Sequence, residues 1–241
     1  MSKNGTAIAI LGAKGGVGTT TIASNLAAEL HNSNNRSVLL VDLNLFLGDV
    51  GLHVGLEREP TAMQWMHDRE STIPAQEIAQ HPLGFSVLGL SPDLSDADDV
   101  VAEDVLHLLG RARNHFDVTV IDCGTDLNET SLTACRYSDH RILVTTEQRP
   151  SLMGAKRRLE ILKKLDIPGQ TALGLINRAH NESGVSAAAV EQAIGLPVIA
   201  RIRNAWQDNQ AALAQKKLLR EHCPNAGVTH DYTQISRHMR Y

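Results

Sequence analysis

Ala7-Ile-Ala-Ile-Leu-Gly12-Ala-Lys14-Gly15-Gly16-Val17-Gly18-Thr19-Thr20-Thr21 is the stretch that decides the fold. An apolar run with the pattern of a strand gives way to a turn with three glycines. The turn leads into Thr20-Thr21-Ile-Ala-Ser-Asn-Leu-Ala-Ala-Glu-Leu, where Ile22, Leu26 and Leu30 recur at helical spacing. A nucleotide polyphosphate needs several backbone N–H groups aimed at it from close range, at a helix start where the peptide dipoles favour negative charge. Glycines let the chain approach that closely. In the common form of such a loop a lysine for the β- and γ-phosphates and a Ser or Thr hydroxyl for Mg²⁺ come next. Here Thr19 stands in the lysine position and Thr20 in the hydroxyl position, and the remaining lysine, Lys14, precedes the glycine pair. A glycine turn alone is also an ordinary strand-to-helix connection. Lys14, Thr20 and matching segments downstream favour the phosphate-binding reading.

The first of those segments is Ser37-Val-Leu-Leu-Val-Asp42, a continuous apolar run ending in an acid, as suits a parallel strand buried on both faces. Asp42 then falls at the carboxyl end of its strand, on the edge where ligands sit in open α/β sheets. The next stretch, Leu43-Asn44-Leu-Phe-Leu-Gly48-Asp49-Val-Gly51-Leu-His-Val-Gly55-Leu, has too many glycines for an ordinary helix and reads as a shaped loop, a candidate switch region. Phe116-Asp-Val-Thr-Val-Ile-Asp122-Cys-Gly124 repeats the pattern of a buried strand closed by an acid. An aspartate there can hold the water shell of a bound Mg²⁺, and Gly124 leaves room for the chain to approach a γ-phosphate.

Elsewhere the pattern predicts short helices at Ala62 to His67 and Ala75 to Ala79, a strand at Phe85 to Leu90 and an acidic loop at Asp93 to Asp99. A helix is expected at Val100 to Ala112, a strand at His140 to Thr145, and a helix at Ser151 to Leu165 capped by Ser151. Then follow a strand at Leu173 to Asn177, a helix at Ser186 to Ile194, a strand at Leu196 to Ile202 and a helix at Trp206 to Leu219. Asp231 to Tyr241 shows no amphipathic helix with a clean apolar face, so a membrane-targeting tail is not expected. Alternating strand and helix patterns over 241 residues predict one α/β domain, residues 1–241, with a doubly wound, mostly parallel sheet flanked by helices.

The formal net charge of −4 argues against a strongly nucleic-acid-binding protein without excluding a local basic patch. Two such places stand out. One is the helix bearing Lys156, Arg157, Arg158, Lys163 and Lys164, read as a solvated face or a partner contact. The other is the chain from Arg201 onward, where basic residues outnumber acidic ones. No apolar run approaches the roughly 18 residues needed to cross a bilayer, and the first residues lack a signal-peptide core, so a cytoplasmic protein is expected. The three cysteines, Cys123, Cys135 and Cys223, form no C-x-x-C pair, and the eleven histidines show no metal-binding spacing.

Lys14-Gly-Gly-Val-Gly-Thr-Thr20, Val41-Asp42, Asp122-Cys-Gly124 and Asn177-Arg178, in that order, make the chain resemble the deviant Walker A ATPases of the MinD/ParA superfamily, P-loop NTPases of the SIMIBI type, over essentially its whole length. Within that superfamily it looks most like the ATPase domain of the TadZ/CpaE pilus-assembly localisation proteins. The features that point there are the threonine in place of the P-loop lysine, Gly48-Asp49-Val-Gly-Leu-His-Val-Gly-Leu, and Leu196-Pro-Val-Ile-Ala-Arg-Ile-Arg-Asn. Many members of that group carry an amino-terminal receiver-like domain that this sequence lacks.

The resemblance implies a cytoplasmic ATP- and Mg²⁺-dependent face-to-face homodimer in which Lys14 reaches the neighbouring subunit's nucleotide. Gly15, Gly16, Val17, Gly18, Thr19, Thr20 and Thr21 would cradle the phosphates. Thr20 and Asp42 would serve Mg²⁺, Asp122 would sense it through water, and Asn177 with Arg178 would border adenine. It also implies a protein partner in a pilus, secretion or polar machinery that recruits the chain to the cell pole or inner membrane. Two departures bear on turnover. MinD-like members end the second strand in Asp-x-Asp, whereas here the sequence is Asp42-Leu-Asn44, and asparagine can orient water but carries no charge. Thr19 removes a cation that would offset charge on the transferred phosphoryl group, so hydrolysis is expected to be slow or absent. The same residues admit three rival readings. They are a ParA-like DNA partition ATPase, a scaffold with a vestigial pocket, and a reductase-type ATPase sharing a metal cluster.

Overall fold

The apolar runs that open the motifs become the centre of a parallel sheet because helices cover both of its faces. The computed structural model describes residues 4–44, 48, 50–56, 78–89, 100–167, 172–180, 182 and 184–239. In chain order the elements are β1 (Thr6–Gly12), α1 (Thr19–Asn34), β2 (Val38–Asp42), α2 (Val50–His53), β3 (Ala79–Gln80) and β4 (Ser86–Leu88). They continue with α3 (Ala102–His115), β5 (Val118–Asp122), α4 (Glu129–Tyr137), β6 (His140–Thr145), α5 (Arg149–Lys164), β7 (Ala172–Ala179), α6 (Ala187–Ile194), β8 (Val198–Arg203), α7 (Trp206–Ala214), α8 (Leu219–His222) and α9 (Gly227–His238). The strands lie in the order β3-β4-β2-β5-β1-β6-β7-β8. Among the described residues only the short β3–β4 pair at one edge is antiparallel; the other pairings are parallel.

Strand alternation divides the core into two layers. Ala7, Ala9, Leu11, Leu39 and Val41 face one side, together with Leu108 of α3, Ala134 of α4 and Leu159 of α5. Ile8, Ile10, Val38 and Leu40 face the other, with Ile22, Leu26 and Leu30 of α1 and Val228, Tyr232 and Ile235 of α9. No helix among the described residues is long and apolar enough to cross a membrane.

Several sequence expectations need correction. The helix expected to begin at Ser151 begins at Arg149 with Gln148 as its cap. Ser151 is instead buried, accepting from the Thr146 N–H at 3.0 Å and sharing a hydrogen bond with the Thr145 hydroxyl at 2.8 Å. The single helix expected over Trp206 to Leu219 is broken. It stops at Ala214, and Lys216 turns with φ 54° before α8. The carboxyl-terminal stretch does form a helix, α9, and its buried face is clear in the fold. Polar residues hid that face: Thr229 donates to the Cys223 carbonyl at 2.8 Å and Ser236 to the Thr233 carbonyl at 2.8 Å, so both are buried without loss. Helix α4 is not among the elements the pattern predicts, although Asn128 caps it by accepting from the Ser131 N–H at 2.9 Å. The strand expected at Phe85 to Leu90 is Ser86–Leu88. Ala79 lies in β3 rather than a helix, and the helix expected at Ala62 to His67, the rest of Ala75 to Ala79 and the Asp93 to Asp99 loop lie outside the described residues.

Candidate functional site

At the carboxyl ends of the strands, the chain leaving β1 runs through α1 to β2 on one side, whereas the chain leaving the adjacent β5 runs through α4 to β6 on the other. Such a reversal opens a crevice in an open α/β sheet. The chain leaving β1 makes the glycine turn, and α1 starts with Gly18 as its cap at φ 90°. No side chain caps that first turn and no acidic residue lies in it, so its amides stay available to an anion. The crevice in front of it has a volume of about 460 Å³, and Gly15, Gly16, Gly18, Thr19, Thr20 and Thr21 form its floor. Val17 is buried beneath the loop rather than lining it.

Asn177 fixes that loop. Its Nδ2 donates to the Val17 carbonyl at 2.8 Å, while its Oδ1 accepts from the Arg178 N–H at 2.9 Å. A Cβ on Gly18 would fall on the Asn177 amide, at a φ that other residues adopt only with strain. Gly18→Ala should therefore displace Asn177, release Val17 and lower the unfolding free energy by more than about 1.4 kcal/mol in urea titrations, the sum of one lost hydrogen bond and backbone strain.

The two acids stand side by side. Register pairs Asp42 with Asp122 across β2 and β5, and Ile10 with Asp122 across β1 and β5, which puts both carboxylates at the edge next to the glycine turn. Both are buried. Asp42 accepts from the Asn44 N–H at 2.9 Å and, through its other oxygen, from the Val50 N–H at 3.2 Å, tying α2 to the strand end. Asp122 accepts from the Gly124 N–H at 3.0 Å. The Asn44 side chain lines the crevice and lies over Gly124, its Cγ 3.3 Å from where a Cβ there would stand. The neighbouring Cys135 thiol, followed by burial, holds the Cys123 thiol well above its usual range, which keeps it neutral.

Lys14 points elsewhere. Its Nζ donates to the Gly15 carbonyl at 3.1 Å on the exposed side of the loop, and it does not line the crevice. Thr19, in the position usually held by lysine, is 6% exposed on the crevice wall, with its hydroxyl packed against Gly12.

The far wall comes from residues that sequence reasoning passed over: His53 of α2, Thr125, and Arg203, Asn204, Trp206 and Asn209 around the β8–α7 turn. Arg178 lies over the Trp206 ring at 5.4 Å, a cation–π contact that builds a flat polarizable shelf. The signal available in the sequence was a tryptophan beside a strand end; what it faces depends on β7. Asp231 of α9 holds Arg203 with two charge-assisted bonds, Nε to Oδ2 and Nη2 to Oδ1, both 2.8 Å.

Strand order, glycine turn and paired strand-end acids together define the fold of the P-loop NTPases of the MinD/ParA superfamily. The chain belongs to the AAA domain family AAA_31, whose match runs over residues 5–173. It is 28% identical over 195 residues to an uncharacterized ATP-binding protein of Methanocaldococcus jannaschii, covering 80% of this chain and 72% of that one. It is 30% identical over 177 residues to the septum site-determining protein MinD of Synechocystis sp., covering 73% of this chain and 65% of MinD. Among solved structures, a ParA family ATPase from Chlorobium tepidum superposes with a TM-score of 0.90 at 20% identity, covering 97% of this chain and 99% of that one. The septum site-determining protein MinD of Pyrococcus horikoshii, complexed with Mg-ADP, superposes with a TM-score of 0.82 at 20% identity, covering 97% and 95%.

Proposed function

We propose that this chain binds ATP·Mg²⁺ in the crevice, closes on it as a face-to-face dimer, hydrolyses it slowly and acts as a localisation or assembly factor. The machine it serves is of the pilus or secretion kind, in the manner of the TadZ/CpaE proteins. A partner there would recruit it to the cell pole or inner membrane. The observation that carries the nucleotide reading is the uncapped first turn of α1, opened by a left-handed glycine directly before two buried strand-end carboxylates. Relatives of the same superfamily include an ATP-binding protein and a Mg-ADP complex, which supports the same ligand class.

The residues fit Mg²⁺: a hydroxyl from Thr20 in the first helical turn, with Asp42 and Asp122 holding metal-bound waters, is an all-oxygen set of the type that ion prefers. When bound, the ion would neutralise charge between the β- and γ-phosphates. Gly15, Gly16 and Gly18 supply amides, Thr21 continues that wall, and Asn44 orients water. Arg178 with Trp206 offers the base its shelf, and Lys14, already directed away from its own crevice, supplies charge to the partner copy. Turnover is slow because Thr19 and Asn44 leave the transferred group without a cation from its own loop and without an acid at the water.

The fold pairs three of the cations near the carboxyl end and leaves Lys216, Lys217 and Arg237 exposed, so the DNA-partition reading stands as the alternative. Of the basic residues near the carboxyl end, Arg201 is paired with Glu147, Arg203 with Asp231 and Arg220 with Glu29. Lys156, Arg157, Lys163 and Lys164 remain exposed on α5. A gel shift at low salt that is steeply weakened by added salt would favour that reading instead.

Sizing with and without ATP·Mg²⁺ tests the proposal. The unaltered chain should shift from monomer to dimer on adding nucleotide, while Lys14→Ala should bind nucleotide and stay monomeric. A chain that stays monomeric at saturating ATP, or a Lys14→Ala variant that dimerises as well as its parent, contradicts it.

A further inference from the structure

Among the cations of α5, Arg158 behaves differently from its neighbours. Lys156, Arg157, Lys163 and Lys164 are exposed, whereas Arg158 is half-buried and its Nε donates to the Ala13 carbonyl at 3.0 Å. Ala13 is the residue at which the chain leaves the sheet to form the glycine turn. Its N–H is already held, donating to the Val144 carbonyl of β6 at 2.8 Å. Gly154, one turn earlier on α5, presses on the same carbonyl so closely that a Cβ there would collide with it. Helix α5 thus meets the loop backbone at one carbonyl, through a glycine that permits contact and an arginine that locks it.

Asp126, in the loop joining β5 to α4, acts on Arg158 through its charge. That loop is tied to β1 as well, because the Gly12 N–H donates to the Gly124 carbonyl at 2.8 Å. One guanidinium therefore bonds to the peptide that precedes Lys14 and feels the charge of the loop that follows Asp122.

We propose that Arg158 is a positioning residue: its bond to the Ala13 carbonyl fixes the Ala13–Lys14 peptide, and so the direction in which Lys14 leaves the loop. The link to nucleotide-driven dimerisation rests on the function proposed above; the fixing of the loop does not.

A variant series separates hydrogen bond from charge. In Arg158→Ala both are lost. Arg158→Gln places an amide nitrogen the same number of bonds from the backbone as Nε, keeping a donor for Ala13 without the charge. The first readout is the rate of tryptic cleavage after Lys14 in nucleotide-free protein, because cutting requires the exposed turn to open locally. Arg158→Ala should be cut there about tenfold faster, the worth of one hydrogen bond from a charged donor, with cutting at other sites unchanged. Arg158→Gln should restore most of the protection. In the second readout, sizing over a concentration series with ATP·Mg²⁺, Arg158→Ala should need about tenfold more protein to dimerise. Unchanged cutting after Lys14 in Arg158→Ala, faster cutting at every site, or no rescue by glutamine overturns the proposal. If the unaltered chain fails to dimerise with ATP, the nucleotide reading falls, and the cleavage series still decides whether Arg158 sets the loop.

Discussion

A Thr19→Lys, Asn44→Asp double variant should hydrolyse ATP at least about 10²-fold faster than the unaltered chain in a phosphate-release assay, since one positioned charge on a transferred phosphoryl group is worth that much or more. Thr19 is the first residue of α1 and borders the crevice, but its hydroxyl is packed against Gly12, so a lysine there must turn out of that contact to reach the phosphates. Asn44 lines the same crevice, its backbone N–H fixed on Asp42 and its side chain over Gly124, which directs a carboxylate at the same water. The single variants should gain less than their product. Asn44→Asp alone adds a third acid beside Asp42 and Asp122 with no cation to offset it, so the two changes are coupled. A double variant that folds and binds ATP but shows no gain would mean that something other than these two absences limits turnover.

Tyr232→Ala should lose about 3–5 kcal/mol of unfolding free energy in urea titrations, the usual cost of deleting a buried aromatic ring. That is a large share of the roughly 5–15 kcal/mol a domain has in total. Tyr232 is among the largest fully buried side chains, on the face of α9 that shares a layer with Leu26 and Leu30 of α1 and Ile202 of β8. The neighbouring Asp231 also grips Arg203 on the crevice wall, so loosening α9 should weaken nucleotide binding too. Burial first, and the Asp231 charge second, push the Tyr232 phenol above its ordinary value. The folded state keeps that proton while the unfolded chain loses it above about pH 10, so this contribution to stability is full below about pH 10 and falls as pH rises further. Tyr232→Phe should flatten the alkaline decline. The raised Tyr137 and Cys123 act in the same sense, so part of it remains.

Where the sequence was legible, the reason was local. The turn from Lys14 to Thr20 needs glycine at a left-handed cap, and strands buried on both faces need unbroken apolar runs, so each leaves its mark within a few residues. Asp42 and Asp122 could be placed at strand ends for the same reason, and the fold sets them in register. Helix α4 could also have been found, from Asn128 with Glu129 in the first turn. Helix α9 resisted because its buried polar groups have partners outside any helical period: Asp231 answers to Arg203, and Thr229 to the Cys223 carbonyl. Periodicity counts such positions as solvent-facing.

The sequence by itself determined the glycine turn, the two strand-end acids and the parallel α/β plan, because each is imposed by backbone geometry and side-chain alternation over short spans. Only the tertiary structure decided that Asn177 braces Val17 from 160 residues away, that Trp206 and Arg203 form the far wall, and that Arg158 turns inward while its neighbours stay in water. A cation has the same chemistry whether it faces solvent or a carbonyl. Which it meets is settled when distant elements pack, and that information is spread over the whole chain rather than held at the residue.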